Sequence, residues 1–290
     1  MATKKILNLH EEVTQRNLKE ICEKYGALVF PKVRVADVLA IEGSGISDNE
    51  YRFALQSHFD FVVTDKDHSP LFSVEFDGPS HADPRQQGRD QLKNQLCDRL
   101  SFPLLRVNAR YLPKKYRNID LLSWFVEVWF FQEAFAQAQE DGAVSADEIC
   151  DPLSVLGLPG RNERFPLWLS ADLRIRIQRL NKAGKCYDFA PSYWVGKDGD
   201  GNYHGIMWIC VTKNSGVMTR SGIRAQRFPV IEREILSELL VFQLYEELDA
   251  VIRGENLTLP LSDIDAVIRA YEAKYEPRGS AVVGSRELEA

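Results

Sequence analysis

The sequence predicts a mixed α/β (α+β) protein in two domains, and three observations carry that prediction. Two β-rich runs, HFDFVVTD (58–65) and LFSVEFDG (71–78), flank the short turn segment KDHSP. The next segment, 83–101, has no β-branched residue and reads as a helix, and FPLLRVNA (102–109) then supplies another buried strand. Far downstream, CYDFAPSYWVG and YHGIMWICVTK flank KDGDGN, which is a strong hairpin signal.

Taken in order, residues 9–25 place Leu9, Val13, Leu18, Ile21 and Cys22 near helical spacing, and Gly26 is the stop. ALVFPKVRVADVLAI (27–41) reads as strand, with Pro31 marking an edge or a bulge. Residues 42–56, rich in Gly, Ser, Asp and Asn, read as a loop leading into a short helical turn. In the 83–101 helix, Asp83 suits the N-cap, Pro84 the first turn, and Leu92, Leu96, Cys97 and Leu100 the apolar stripe. Residues 119–139 form a long amphipathic helix, whose Trp124, Trp129, Phe130 and Phe131 belong to a core or an interface. The acidic, turn-prone run 140–152 marks the boundary between domains at 1–140 and 150–275. In the second domain, Asp198, Asp200 and Asn202 lie in a hairpin turn, and 230–254 is a helix with Glu232, Glu234, Glu238, Glu246 and Glu247 as its acidic surface. Residues 276–290 read as a frayed, flexible tail.

Composition excludes several classes. The chain has 290 residues, 44% of them hydrophobic and 27% charged, which suits a globular core rather than a disordered chain. A net charge of −6 gives no global attraction for nucleic acid, so such contact needs a local patch. No apolar run approaches the length of a signal peptide or a membrane span. Five scattered cysteines without a CxxC pair point to reduced thiols in a cytoplasm, not to disulfides or structural zinc.

The chemistry concentrates in the 58–78 hairpin. If Thr64 pairs with Leu71, Asp60 lies across from Glu75, and cross-strand Cβ atoms there are about 4.5–5.5 Å apart. Alternation puts Ser73, Glu75 and Asp77 on one face and Phe72, Val74 and Phe76 on the other. Facing carboxylates repel, and Mg²⁺ or Mn²⁺ answers that repulsion with the help of waters and phosphate oxygens. Lys93, on the following helix, is the ammonium that can position a water or neutralise a phosphate. The same residues also fit plainer readings. Asp60 and Glu75 can be a solvated pair or partners of neighbouring arginines, and Asp77-Gly78-Pro79 is a good turn. Segment 83–117 carries nine Lys or Arg against three Asp, either a patch that tracks a phosphate backbone or a solvated helix face.

The order Asp60, then EFDGPSH (75–81), RDQLKNQL (89–96) and PLLRV (103–107), together with VFPKVRVADVL (29–39), resembles the PD-(D/E)xK nuclease superfamily. More closely, it resembles a bacterial branch of unknown function related to very-short-patch-repair endonucleases. The resemblance spans roughly residues 10–112. It implies a restriction-endonuclease-like αβββαβ core, a divalent metal and DNA cleavage, in repair or in defence against foreign DNA. By position it makes Asp60 and Glu75 metal ligands, with the Phe76 carbonyl as a third, and His81 a contact to phosphate or the leaving group. The usual strand lysine is replaced by Asp77, so Lys93 has to serve from the helix. Asp90 and Arg106 match without an assigned role.

The expectation is therefore a metal-dependent deoxyribonuclease. Asp60, Glu75, Asp77, Lys93 and His81 form its centre, and Arg85, Arg89, Arg106, Arg110, Lys114 and Lys115 contact DNA. The alternative is a nucleic-acid- or partner-binding protein that keeps the fold without turnover. The acidic helix of the second domain suits a protein partner.

Overall fold

A computed structural model of the chain describes residues 5–78, 84–116, 118–152, 169–229 and 232–283, with the side chains of 84 and 85 excepted. The chain is mixed α+β and divides into two compact units: residues 1–152 with 226–230, and the remainder. The division falls after Pro152. Among the described residues, no helix is long and apolar enough to cross a membrane.

The first unit follows the order αβββαβ, with two short helices inserted after the first strand. Helix α1 (Leu9–Cys22) opens on a capping box, in which Asn8 and Glu11 satisfy each other's backbone N–H groups. It ends through a 3₁₀ turn at Gly26, whose φ of 68° is the left-handed conformation that glycine adopts freely. Strand β1 (Leu28–Arg34) follows, then α2 (Val35–Val38) and α3 (Asp48–Gln56). The stretch read as a loop with a short turn is thus more helical than expected, because Ser47 and Glu50 form a second capping box. Strands β2 (His58–Thr64) and β3 (Pro70–Phe76) make the expected hairpin, and α4 (Pro84–Arg99) leads to β4 (Leu104–Val107). The sheet order is β1-β2-β3-β4, antiparallel except for the parallel β3–β4 pair that the α4 crossover permits.

One pairing differs from expectation. Thr64 pairs with Pro70 rather than Leu71, because a bulge follows Val63. Beyond the bulge, Val63↔Phe72, Val62↔Ser73 and Phe61↔Val74 keep the expected register, so Asp60 arrives beside Glu75. One core cluster joins Phe59, Val62 and Leu104 to Leu96 and Cys97 of α4. Helix α5 (Leu121–Glu140) buries Trp124, Phe125 and Trp129, and Trp129 packs on Phe72. Residues 226–230 complete this unit: Leu104 N–H donates to Arg227 O, and the Phe228 ring meets Phe72 edge-on.

In the second unit, α6 (Ala171–Lys182) precedes strands β5 (Ser192–Lys197), β6 (Tyr203–Cys210) and β7 (Ser215–Ile223). Then come α7 (Glu232–Ile252), β8 (Leu259–Pro260), α8 (Leu261–Lys274) and β9 (Glu276–Ala281). The five strands form one antiparallel sheet in the order β8-β7-β6-β5-β9. The KDGDGN segment is the β5–β6 turn, where Asp198 accepts from the N–H groups of Asp200 and Asn202. Burial opposes ionisation of Asp198, yet hydrogen bonds from His204, Asn202 and these amides hold its carboxyl down at about 2.

Two expectations for this unit are corrected. Residues 276–281 are not a frayed tail but an edge strand on β5, and 284–290 lie outside the described residues. Glu238 is not on an acidic surface of α7: it is buried, where it accepts from Ser170 N–H at 2.6 Å and pairs with Arg174.

Candidate functional site

The β2–β3 hairpin brings two of the expected residues together. Asp60 N–H donates to Glu75 Oε1 at 3.1 Å, and Asp60 Oδ2 accepts from Phe76 N–H at 2.9 Å. Each carboxylate thus spends one oxygen on the neighbouring strand and keeps the other for a cation. Lys93 reaches in from α4, with Nζ 2.7 Å from Glu75 Oε2 and 2.8 Å from His58 O. Glu75 is 4% exposed. Burial pushes its carboxyl above the usual range, the Lys93 ammonium works against that shift, and Asp60 adds to it.

A cation absent from the sequence reading completes the group. Lys32 Nζ sits 2.7 Å from both Glu11 Oε1 and Asp60 Oδ1. Burial disfavours its charge, but bonds to Asp60 and Glu11 more than offset that and raise its pKa. Glu11 escaped notice because it doubles as the N3 member of the α1 capping box. Its only sequence signal is the Asn8-x-x-Glu11 spacing, and nothing local announces a partner 21 residues away. The signal for Lys32 is the neighbouring Pro31, already marked as an irregularity. Lys32 takes φ 53°, a left-handed conformation in mid-strand that costs an unbranched residue about 1–2 kcal/mol. Such strain clusters at functional sites.

Glu11, Asp60, Glu75 and Lys93 line a cavity of about 510 Å³, whose walls also include His10 and Arg89. His10 stacks on Phe76 with ring centroids 5.3 Å apart. Arg89 is exposed, lies over the Phe53 ring and donates weakly to Ser57 Oγ at 3.4 Å. No carboxylate pairs with Arg89 among the described residues.

The remaining expected residues lie elsewhere. Arg106 is no surface contact: it is 3% exposed, 2.7 Å from Asp77 Oδ1, 3.0 Å from Asn94 Oδ1 and 3.6 Å from Asp90 Oδ1. Burial works against its charge, and Asp77, Glu75 and Asp90 hold it charged. The reason is β4 itself, whose four residues are all buried, so a cation there must recruit carboxylates. Asp77 is one of them and is committed to Arg106 instead of joining Asp60 and Glu75. Arg110, Lys114 and Lys115 are exposed but do not line the cavity, and Lys114 faces Glu20 at 3.6 Å. His81 and the Arg85 side chain lie outside the described residues.

Among the described residues, no three His, Cys, Asp or Glu side chains are grouped to cage a metal. Two carboxylates do meet, and two suit Mg²⁺, which keeps several waters and takes the rest of its shell from substrate phosphate. Phe76 lies at the cavity wall. No curated protein and no solved structure matches the chain. Residues 3–120, which contain every wall of the cavity, match the model of a family described as a protein of unknown function, DUF2726.

Proposed function

We propose that the first unit hydrolyses DNA phosphodiester bonds as a Mg²⁺- or Mn²⁺-dependent nuclease. One observation carries the reading: Asp60 and Glu75 meet across β2 and β3 at a cavity wall, with the Lys93 ammonium on the free oxygen of Glu75. The αβββαβ order around that pair agrees with the resemblance to PD-(D/E)xK nucleases. Asp60 and Glu75 would hold the cation, with the Phe76 carbonyl as a further oxygen. A bound divalent ion supplies charge stabilisation on the phosphate and a more acidic water. The chain's own groups do the rest. Lys93 fixes the orientation of Glu75 and supplies an ammonium where a water or a phosphate oxygen lies. Arg89, on the cavity wall and exposed, takes a non-bridging phosphate oxygen, and a guanidinium binds phosphate oxygens two at a time. A role in repair or in defence against foreign DNA rests on the resemblance alone.

The test is cleavage of plasmid and single-stranded DNA with Mg²⁺ or Mn²⁺, comparing wild type with Glu75→Ala. The expected result is metal-dependent cleavage that the variant loses. A folded wild-type chain inert on both substrates overturns the reading.

A second reading has its own observation. Each carboxylate of the pair already has an ammonium partner, Lys32 on Asp60 and Lys93 on Glu75, as a binding module without turnover would keep them. Thermal stabilisation by Mn²⁺ separates the two, since ligand binding to the native state raises stability and a module lacking a metal site gains none.

A further inference from the structure

We propose that Lys32 is a built-in counter-ion for the carboxylate site, and that a divalent cation displaces it from Asp60 on binding. The inference rests on the metal reading above and concerns how this chain keeps the site assembled before metal arrives.

Three observations support it. First, Lys32 holds φ 53° within β1, at a position the ladder skips while keeping the same register on both sides, Pro31 with Phe61 and Val33 with Phe59. No residue is inserted there, so the conformation is local to Lys32, and the residue across from it is Asp60. Second, its ammonium bridges Glu11 and Asp60 at 2.7 Å each. The second oxygen of each carboxylate is fastened to backbone, Glu11 Oε2 to Asn8 N–H and Asp60 Oδ2 to Phe76 N–H. Each therefore has one oxygen to offer, and Lys32 takes both. Without it, Glu11, Asp60 and Glu75 would face each other with Lys93 as their counter-ion, and like charges so placed repel.

Third, the two lysines differ in freedom. The Lys93 side chain is 9% exposed and also anchored on His58 O, whereas the Lys32 side chain is 33% exposed. Lys32 is the cation with a route to water. A lysine there keeps the carboxylate oxygens convergent in the metal-free protein, and its departure frees Asp60 Oδ1 for an incoming ion.

The test is Mn²⁺ binding to the full chain by titration calorimetry, for wild type, Lys32→Met and Lys32→Arg. Lys32→Met is expected to bind Mn²⁺ about tenfold tighter or more, since a competing charge at contact distance is gone. Lys32→Arg keeps the charge and is expected to stay near wild type. Equal or weaker binding by Lys32→Met overturns the inference and leaves the metal reading standing. Absence of binding in wild type and both variants overturns the metal reading and this inference with it. A measurement on wild type alone guards against a variant that folds poorly: amine methylation of Lys32, followed by mass spectrometry, is expected to rise on adding Mn²⁺. Unchanged methylation at saturating Mn²⁺ overturns the displacement.

Discussion

The Glu75–Lys93 pair is the most buried charge pair at the candidate site, with side chains 5% and 9% exposed. Removing one partner of such a pair costs far more than the pair contributes, because the other charge stays buried without compensation. Lys93→Met is therefore expected to lose about 3–5 kcal/mol of stability at pH 8. The loss depends on pH in a definite sense. Burial already raises the Glu75 carboxyl, and without the Lys93 ammonium it rises further. Between the unfolded value, about 4.3, and the folded one, the native state binds the extra proton, so stability falls as pH rises and returns as pH falls. Urea unfolding at pH 5 and pH 8 checks this, and the deficit of Lys93→Met against wild type should shrink at pH 5. Arg89 gives a second prediction. As an exposed cavity-wall cation it should contribute one phosphate contact, so Arg89→Ala should weaken DNA binding uniformly across sequences. It should also reduce the slope of log K against log salt by about 1. An unchanged slope would remove Arg89 from the interface.

Strands show how much sequence patterning conveys and where it stops. The meeting of Asp60 and Glu75 was legible because alternation and turn length set a hairpin register, and the bulge at Thr64 falls outside the pairs that matter. The burial of Arg106 was not legible. Its neighbours Leu104, Leu105 and Val107 are apolar, but Asp77 and Asp90 reach it from other elements. Lys32 and Glu11 escaped for the same reason, since Lys32 and Asp60 are 28 residues apart in the chain. Strand β9 had no signal at all, because EPRGSA lacks an apolar alternation and joins the sheet through its ladder with β5. Close approach is equally invisible to patterning. Gly216 pairs with Cys210 on β6 and with Leu259 on β8, and a Cβ there would collide with the Ile209 carbonyl oxygen. Gly216→Ala is expected to cost about 1–3 kcal/mol as the strands shift apart, read from thermal or urea unfolding. A neutral result would mean that the ladder yields freely at that edge.

Across the whole chain, the two units divide after Pro152, and the chain passes between them more than once. Residues 226–230 return to the first unit about midway through the second, and Phe228 is 5% exposed against Phe72. Linear reading misses this return because a segment of about five residues carries no periodicity. The cysteines provide a reporter for both units. Cys22 and Cys97 are buried in the first, Cys186 and Cys210 in the second, and Cys150 is partly exposed. Burial pushes the Cys22 and Cys97 thiols up to about 12 and Cys186 up to about 11. At pH 8 a thiol-specific reagent should label Cys150 first, with the other four reacting only through unfolding. The same shifts predict an alkaline weakening with a known sign. In the unfolded chain thiols ionise near 8.5, while in the fold they keep their protons to about 11–12. Over that interval the unfolded state binds fewer protons, so stability falls as pH rises. Replacing Cys97 with alanine removes one such group, so the drop in urea midpoint between pH 8 and pH 10 should be smaller in Cys97→Ala than in wild type. An equal drop would assign the alkaline loss to lysines and tyrosines instead.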